Sequence, residues 1–170
     1  MKRPQNIIII TIIVYLIIPS IAFSEVFYVR PLGGSYGLQN GTSYENAWNG
    51  FKEINWGAGD ESNKLDGGDT LYICGNHTAE QLRVNANGKN GDKIIFRGDY
   101  ANDPGTIGSA SITNAILFIK GEYLVFEHLT IKDSWRGLVG RSGGKFIEIS
   151  DCSFINLGQK GAIIISDEKS

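Results

Sequence analysis

Proline is scarce in this chain, cysteine scarcer, and neither sign of charge dominates. Each shortage narrows the reading. Four prolines against 22 glycines, with modest charge, suit many tight turns between short strands. A net charge of −2 offers no basic surface for nucleic acid, which is therefore not an expected partner. Cys74 and Cys152 are the only cysteines, so at most one disulfide is available. No Asp-x-Asp-x-Asp-Gly order occurs, although Asp60, Glu61, Asp66 and Asp69 bring four carboxylates to residues 57–69. A solvated loop closed by the turn-forming Asp66-Gly67-Gly68-Asp69 is the better reading there. At 170 residues the chain suits one domain.

The first 24 residues read as a signal peptide. Lys2 and Arg3 give a positive start, and Ile7 to Ile18 is almost wholly apolar. Pro19 then breaks the run, and Ala22-Phe23-Ser24 supplies small residues where a signal peptidase reads. The rival reading is an uncleaved anchor, since the apolar stretch to Phe23 is just long enough to span a bilayer. Pro19 and the small residues favour cleavage before Glu25. The product is then secreted, extracellular or periplasmic, and not membrane-bound. No cysteine follows the run, which argues against a lipid anchor. Export permits disulfides, but Cys152 takes an inward place and Cys74, after inward Ile73, is expected to face outward. Two free thiols follow. Asn40-Gly41-Thr42 and Asn76-His77-Thr78 are glycosylation acceptors if the host is eukaryotic.

The rest of the chain is organised by a repeat. EYLVFEHLTIKDS, from Glu122, and KFIEISDCSFINL, from Lys145, superpose with Leu124 on Ile147, Phe126 on Ile149, Leu129 on Cys152, Ile131 on Phe154 and Asp133 on Asn156. Apolar and polar residues alternate, then break step once, which is the pattern of two strands joined by a tight bend. Recurrence at twenty-odd residues points to stacked coils rather than a β-sandwich. Extended backward, the repeat aligns Leu71 and Ile73 with Ile94 and Phe96, and those with Ile116 and Phe118. Leu138, Ile163 and Ile165 follow. A second row reads Val84, Ile107, Ile131, Phe154. About four coils result.

Ahead of the coils, Val26–Val29 reads as a strand. A short helix is expected from Ser43, with Ser43 as its cap and Ala47, Phe51 and Ile54 on one apolar face. Such a piece would cover the first coil. Trp48 and Trp56 are expected to pack in this cap rather than stack on sugar. At the other end Ile163-Ile164-Ile165 is a fresh apolar strand, expected to leave an open end for a partner or for further coils.

The order FYV, a Gly-rich loop, GTSYENAW, GGDTLYICGNH, LRVNANGKNGDKIIFRGD and then the coils resembles the N-terminal part of secreted right-handed parallel β-helix proteins. These are of the pectate lyase and chondroitinase B type. The resemblance runs from about Val26 to Ile165. It implies an all-β, right-handed parallel β-helix of about four coils at residues 69–170, incomplete at its C-terminal end, after a capping segment at 25–68. It further implies polysaccharide as the partner, with Ca²⁺ as a family cofactor. The family's lyases remove a proton beside a uronate carboxylate by β-elimination, with Ca²⁺, Arg or Lys neutralising the acid and a base taking the proton. No catalytic motif of that kind matches here, so no catalytic residue is assigned. Asn156 fits the family's habit of stacking asparagines after the second strand, and Asp133 departs from it.

Lys132, Trp135 and Arg136 are the substrate-binding candidates. Trp135-Arg136 is expected in a loop, where an indole stacks on a sugar and a guanidinium pairs with its acid group. His128, Asp133 and Arg141 are further outward polar residues, with His128 at a bend. The expected function is binding or lyase action on polysaccharide, with catalytic coils beyond this chain. The alternatives are a non-catalytic carbohydrate-binding or structural solenoid and an inactive fragment.

Overall fold

A computed structural model describes residues 24–57, 63–109, 111–158 and 161–166. The signal peptide expected at 1–24 falls, Ser24 apart, outside the described residues, as do Asp60 and Glu61. The described chain is all-β and its named strands pair in parallel. β1 (Val26–Arg30) and β2 (Trp48–Asn49) come first. The first coil holds β3 (Thr70–Ile73), β4 (Asn76–His77) and β5 (Leu82–Val84). The second holds β6 (Ile94–Arg97), β7 (Thr106–Ile107) and β8 (Asn114–Ile119). The third holds β9 (Glu122–Glu127), β10 (Thr130–Lys132) and β11 (Arg136–Arg141). The fourth holds β12 (Lys145–Ser150), β13 (Ser153–Ile155) and β14 (Ile163–Ser166).

Like strands stack. The first sheet runs β12-β9-β6-β3-β1-β2, the second β13-β10-β7-β4 and the third β14-β11-β8-β5. Parallel strands need a crossover, and here the rest of each coil supplies it. Every coil sends its inward side chains into one core, where Phe96 stacks on Phe126 at 4.9 Å and Phe118 lies 6.2 Å from Phe126. The repeat of the last two coils holds residue for residue. Leu124 pairs with Ile147, Phe126 with Ile149 and Ile131 with Phe154. Asn156 Nδ2 donates to Asp133 Oδ1 at 2.8 Å, so the departure from asparagine still makes the ladder bond.

The bends recur too. Tyr123 and Phe146, His128 and Asp151, and Asp133 and Asn156 all have φ between 49° and 56°. A left-handed residue turns the chain sharply, and repeating it at stacked positions keeps successive coils in step. Each coil has a third strand where the sequence pattern shows two plus scattered apolar positions.

In the first two coils the register differs from expectation. Leu71 pairs with Phe96, Phe96 with Phe126, and Ile116 with Leu82 and Leu138. Ile94 and Ile116 therefore belong to different sheets. Val84 pairs with Phe118, and the place before Ile107 goes to His77. Loops of unequal length separate the early strands, so constant arithmetic slips from one sheet to the next.

The expected capping helix is replaced by a hydrogen-bonded turn, β2 and one 3-10 turn at Phe51–Glu53. Ser43 Oγ still accepts from Asn46 N–H, at 3.2 Å. Gly50, at φ 84°, lies outside helical space and stops a helix from running through to Ile54. Gly50 N–H donates instead to Arg30 O at 2.8 Å. Trp48 is buried and stacks on Phe27 at 5.1 Å, as cap packing requires. Trp56 is partly buried against the core. Glu80 fastens this cap to the first coil, accepting from Leu32 N–H at 2.9 Å and Phe51 N–H at 3.0 Å. The buried His77 ring lies 3.2 Å from Glu80 Oε1 and stacks under Phe51.

Cys74 is buried but stands outside the core cluster. Its charged neighbours are Arg30 and Asp103 of the outer face, so it is covered on the outward side on which it was expected. Burial pushes its thiol up to about 12 and raises that of Cys152 as well. Both cysteines are free. Asp69 is buried rather than solvated, and its two oxygens accept from Glu25 N–H and Asp66 N–H, each at 2.9 Å. At the last coil, Ile163 and Ile165 occupy inward register positions yet are each 45% exposed.

Candidate functional site

The outer face of the third sheet carries the strongest candidate. Along β5, β8 and β11, the inward residues Leu82, Val84, Ile116, Phe118 and Leu138 join the core. The residues between them point outward. In register, Arg83 lies beside Leu117, Leu117 beside Val139, and Ile119 beside Arg141. Leu117 and Val139 are only 5% and 3% exposed, so longer neighbours shelter this outward row and make it the floor of a groove.

Three hollows form that groove. One of about 390 Å³ lies among Gln81, Arg83, Asn114, Leu117 and Arg141. One of about 260 Å³ adjoins it at Arg83 and Leu117 and reaches Ile119. One of about 490 Å³ shares Arg83, Gln81 and Ile112 and extends to Phe51, Lys52 and Trp56 under the cap.

The polar groups of this face are oriented but not consumed. Gln81 Nε2 donates to Asn114 O at 2.8 Å, and Gln81 Oε1 accepts from Arg83 Nε at 3.1 Å. The amide thereby holds the Arg83 guanidinium by one edge and leaves its terminal nitrogens for a planar acid. Among the described residues, no carboxylate pairs with Arg83, Arg136 or Arg141. Glu80 reaches the groove wall, but its oxygens are taken. Burial pushes its carboxyl up, and the hydrogen bonds from His77, Leu32 and Phe51 more than reverse this, so the net shift is downward. Asn114 is buried, and its Oδ1 has no hydrogen-bond partner among the described residues. Arg136, which pairs with Asn114 in register, has an unpartnered buried Nε. Both residues share the inward alternation of Ile116 and Leu138 and so do not belong to the outward row.

The three sequence-derived candidates divide. Trp135 is 48% exposed at the corner before the third sheet. Arg136 is the first residue of β11, not part of a loop, because its N–H is taken by Thr113 O at 2.9 Å. Neither lines the three hollows of the groove. Lys132 lies on β10 beside Ile155, on the second sheet, and does not join them. His128 is exposed at its bend, 3.9 Å from Asp99. Arg83, Gln81 and Asn114 escaped sequence reasoning because Val84 was placed in the wrong row. The alternation Leu82-Arg83-Val84, matched to Ile116-Leu117-Phe118, was the available signal. No three metal-ligating side chains converge among the described residues, and Asp69, the buried member of the acidic loop, spends its oxygens on backbone donors.

The chain matches no protein-family model, no curated protein and no solved structure.

Proposed function

We propose that this protein is an exported, right-handed parallel β-helix that binds an acidic polysaccharide along the outer face of its third sheet. Export rests on Lys2, Arg3, the Ile7–Ile18 run and the Ala22-Phe23-Ser24 site, and places the product in the extracellular space or periplasm. The observation that carries the binding reading is the groove itself. Arg83 and Arg141, which have no carboxylate partner among the described residues, flank a sheltered apolar floor. A uronate chain fits this chemistry, since its carboxylates suit forked guanidinium donors and its hydroxyls suit amide acceptors.

The test is equilibrium binding of the secreted chain to polygalacturonate and to an uncharged polymer of similar length, over a range of salt. Binding of the acidic polymer alone, weakening as salt rises, supports the proposal. Equal binding of both polymers, or none, removes it. Unsaturated uronate ends appearing in the same mixture would extend the reading from binding to β-elimination.

A further inference from the structure

The groove on the third sheet has one built end. Among the described residues β5 is the edge strand of that sheet on the side of the cap. The 3-10 turn Phe51–Glu53 packs beside it there, where a further strand would otherwise stack. The hollow of about 490 Å³ lies between turn and strand, and Leu32, Phe51, Trp56 and Ile112 give it apolar walls. Arg83 lines this hollow and also the two that reach β8 and β11. Its guanidinium therefore stands where the groove meets the cap.

The walls are fixed from behind. Glu80 accepts from Leu32 N–H and from Phe51 N–H, which pins two wall residues to the first coil. The buried His77 ring stacks under Phe51 with centroids 4.1 Å apart. Trp56 leans on the core, 6.3 Å from Phe96, yet is only half-buried and lines the hollow. A pocket held in this way is formed before any ligand arrives. Its charges are unequally spent. Glu80, the acid at the wall, is taken up by the two N–H groups and by His77. Lys52 and Arg83 are exposed, and neither has a carboxylate partner among the described residues.

A blind end with apolar walls and two unpaired cations suits the last ring of an acidic chain. The sugar's C–H face packs on the indole while its carboxylate reaches Lys52 and Arg83. An internal segment would need a way on past β5, where the cap stands. We propose that the hollow under the cap is a terminal subsite, so that the protein grips one end of a uronate polymer and the rest runs along Arg83 and Arg141. This inference rests on the binding reading above and adds which part of the polymer is recognised.

The experiment measures binding of long polygalacturonate and of galacturonate oligomers just long enough to cross β5, β8 and β11, about 10 Å at strand spacing. Recognition of an end predicts affinities per mole of chain that agree within about threefold. Affinity per chain that climbs in proportion to length means that internal segments bind equally, which overturns the subsite and leaves the groove standing. Trp56→Ala and Lys52→Ala are each expected to weaken both probes about threefold to tenfold, with Trp56→Phe retaining most of the affinity. The thermal midpoint is the control for folding, and exposed Lys52 decides the matter if Trp56→Ala lowers it. If Lys52→Ala and Trp56→Phe bind like wild type and Trp56→Ala, still folded, does so too, while Arg83→Ala loses affinity, the terminal subsite is wrong and the groove stands. If wild type binds neither probe, the groove fails and the subsite with it.

Discussion

The outer faces of the first and third sheets are built from similar residues and arranged to opposite ends. On the first, Tyr28 stacks on Tyr72 at 5.5 Å and Tyr44 on Tyr100 at 4.7 Å. Arg30 lies 4.2 Å from the Tyr36 ring and 4.1 Å from the Tyr44 ring. Tyr44 donates to Asp103 at 2.9 Å. Arg97 is held by Asp99 at 2.6 Å and by Glu127 at 3.2 Å. Most charges there have met a complement within the chain, although Arg30 Nε is buried without a hydrogen-bond partner among the described residues and lies 4.0 Å from Asp103. On the third sheet Arg83 is held by an amide, and no carboxylate among the described residues pairs with Arg83, Arg136 or Arg141. A face that satisfies itself has little left to offer a ligand, whereas a face of oriented, unmet donors keeps its interaction energy for a partner. Richness in arginine and aromatic rings does not by itself mark a site. What decides is whether those groups are already engaged.

Five perturbations sharpen that contrast. The largest effect belongs to neither face but to the core behind both. Phe126→Ala should cost about 3–5 kcal/mol, read by chemical denaturation, with probes on the two faces melting together. Separate transitions would show that the sheets are not one cooperative unit. Next, Glu80→Ala should cost about 2–4 kcal/mol, since it leaves two backbone donors and the buried His77 without their acceptor. Hydrogen exchange at Leu32 and Phe51 should rise ahead of exchange in the later coils.

On the first face, Asp103→Asn should cost about 1 kcal/mol in thermal unfolding, because it loosens Tyr44 and Arg30 together. Arg141→Ala on the third face should change stability by less than about 0.5 kcal/mol while weakening polygalacturonate binding. A stability loss equal to that of Asp103→Asn would mean that the two faces do not differ as described.

Acid should act on the first face before the third. The hydrogen bond from Arg97 holds Asp99 below the usual carboxylate range. A lowered native value makes a stabilising contribution that is complete above the unfolded carboxylate value and is lost as pH falls through the native one. The pair is about one-third exposed, so solvent screening keeps the effect small. Asp99→Asn should flatten the acid limb of the stability profile slightly, and an unchanged limb would place the acid sensitivity elsewhere. Arg141→Ala should leave the limb as it is.

How much was legible depended on loop length. Coils three and four have the same short connection between their first and second strands, so Leu124 to Ile147 and Ile131 to Phe154 were readable by spacing alone. The turn at Asp66–Asp69 and the two free thiols were readable as well. Coils one and two are separated by loops of unequal length, and there the arithmetic carried Val84 and Ile94 into the wrong rows. That slip hid Arg83, and with it the groove, while Trp135 and Arg136 drew notice because they stand beside the regular repeat. The helix expected at Ser43–Ile54 failed at one residue, Gly50, whose backbone turns the chain back onto β1.

The sequence by itself determined a chain of stacked parallel strands, since alternation and recurrence leave inward apolar rows nowhere to go but against their counterparts in the next coil. Only the tertiary structure decided which outward residues share a face. In a solenoid that depends on where each bend falls, and the bends are set by left-handed positions and loop lengths that hydrophobic pattern does not encode. Cys74 was covered on its outward side by the neighbours of Arg30 and Asp103, Lys132 was separated from Arg136 by a bend, and Arg83 was brought beside Leu117 across a long connection.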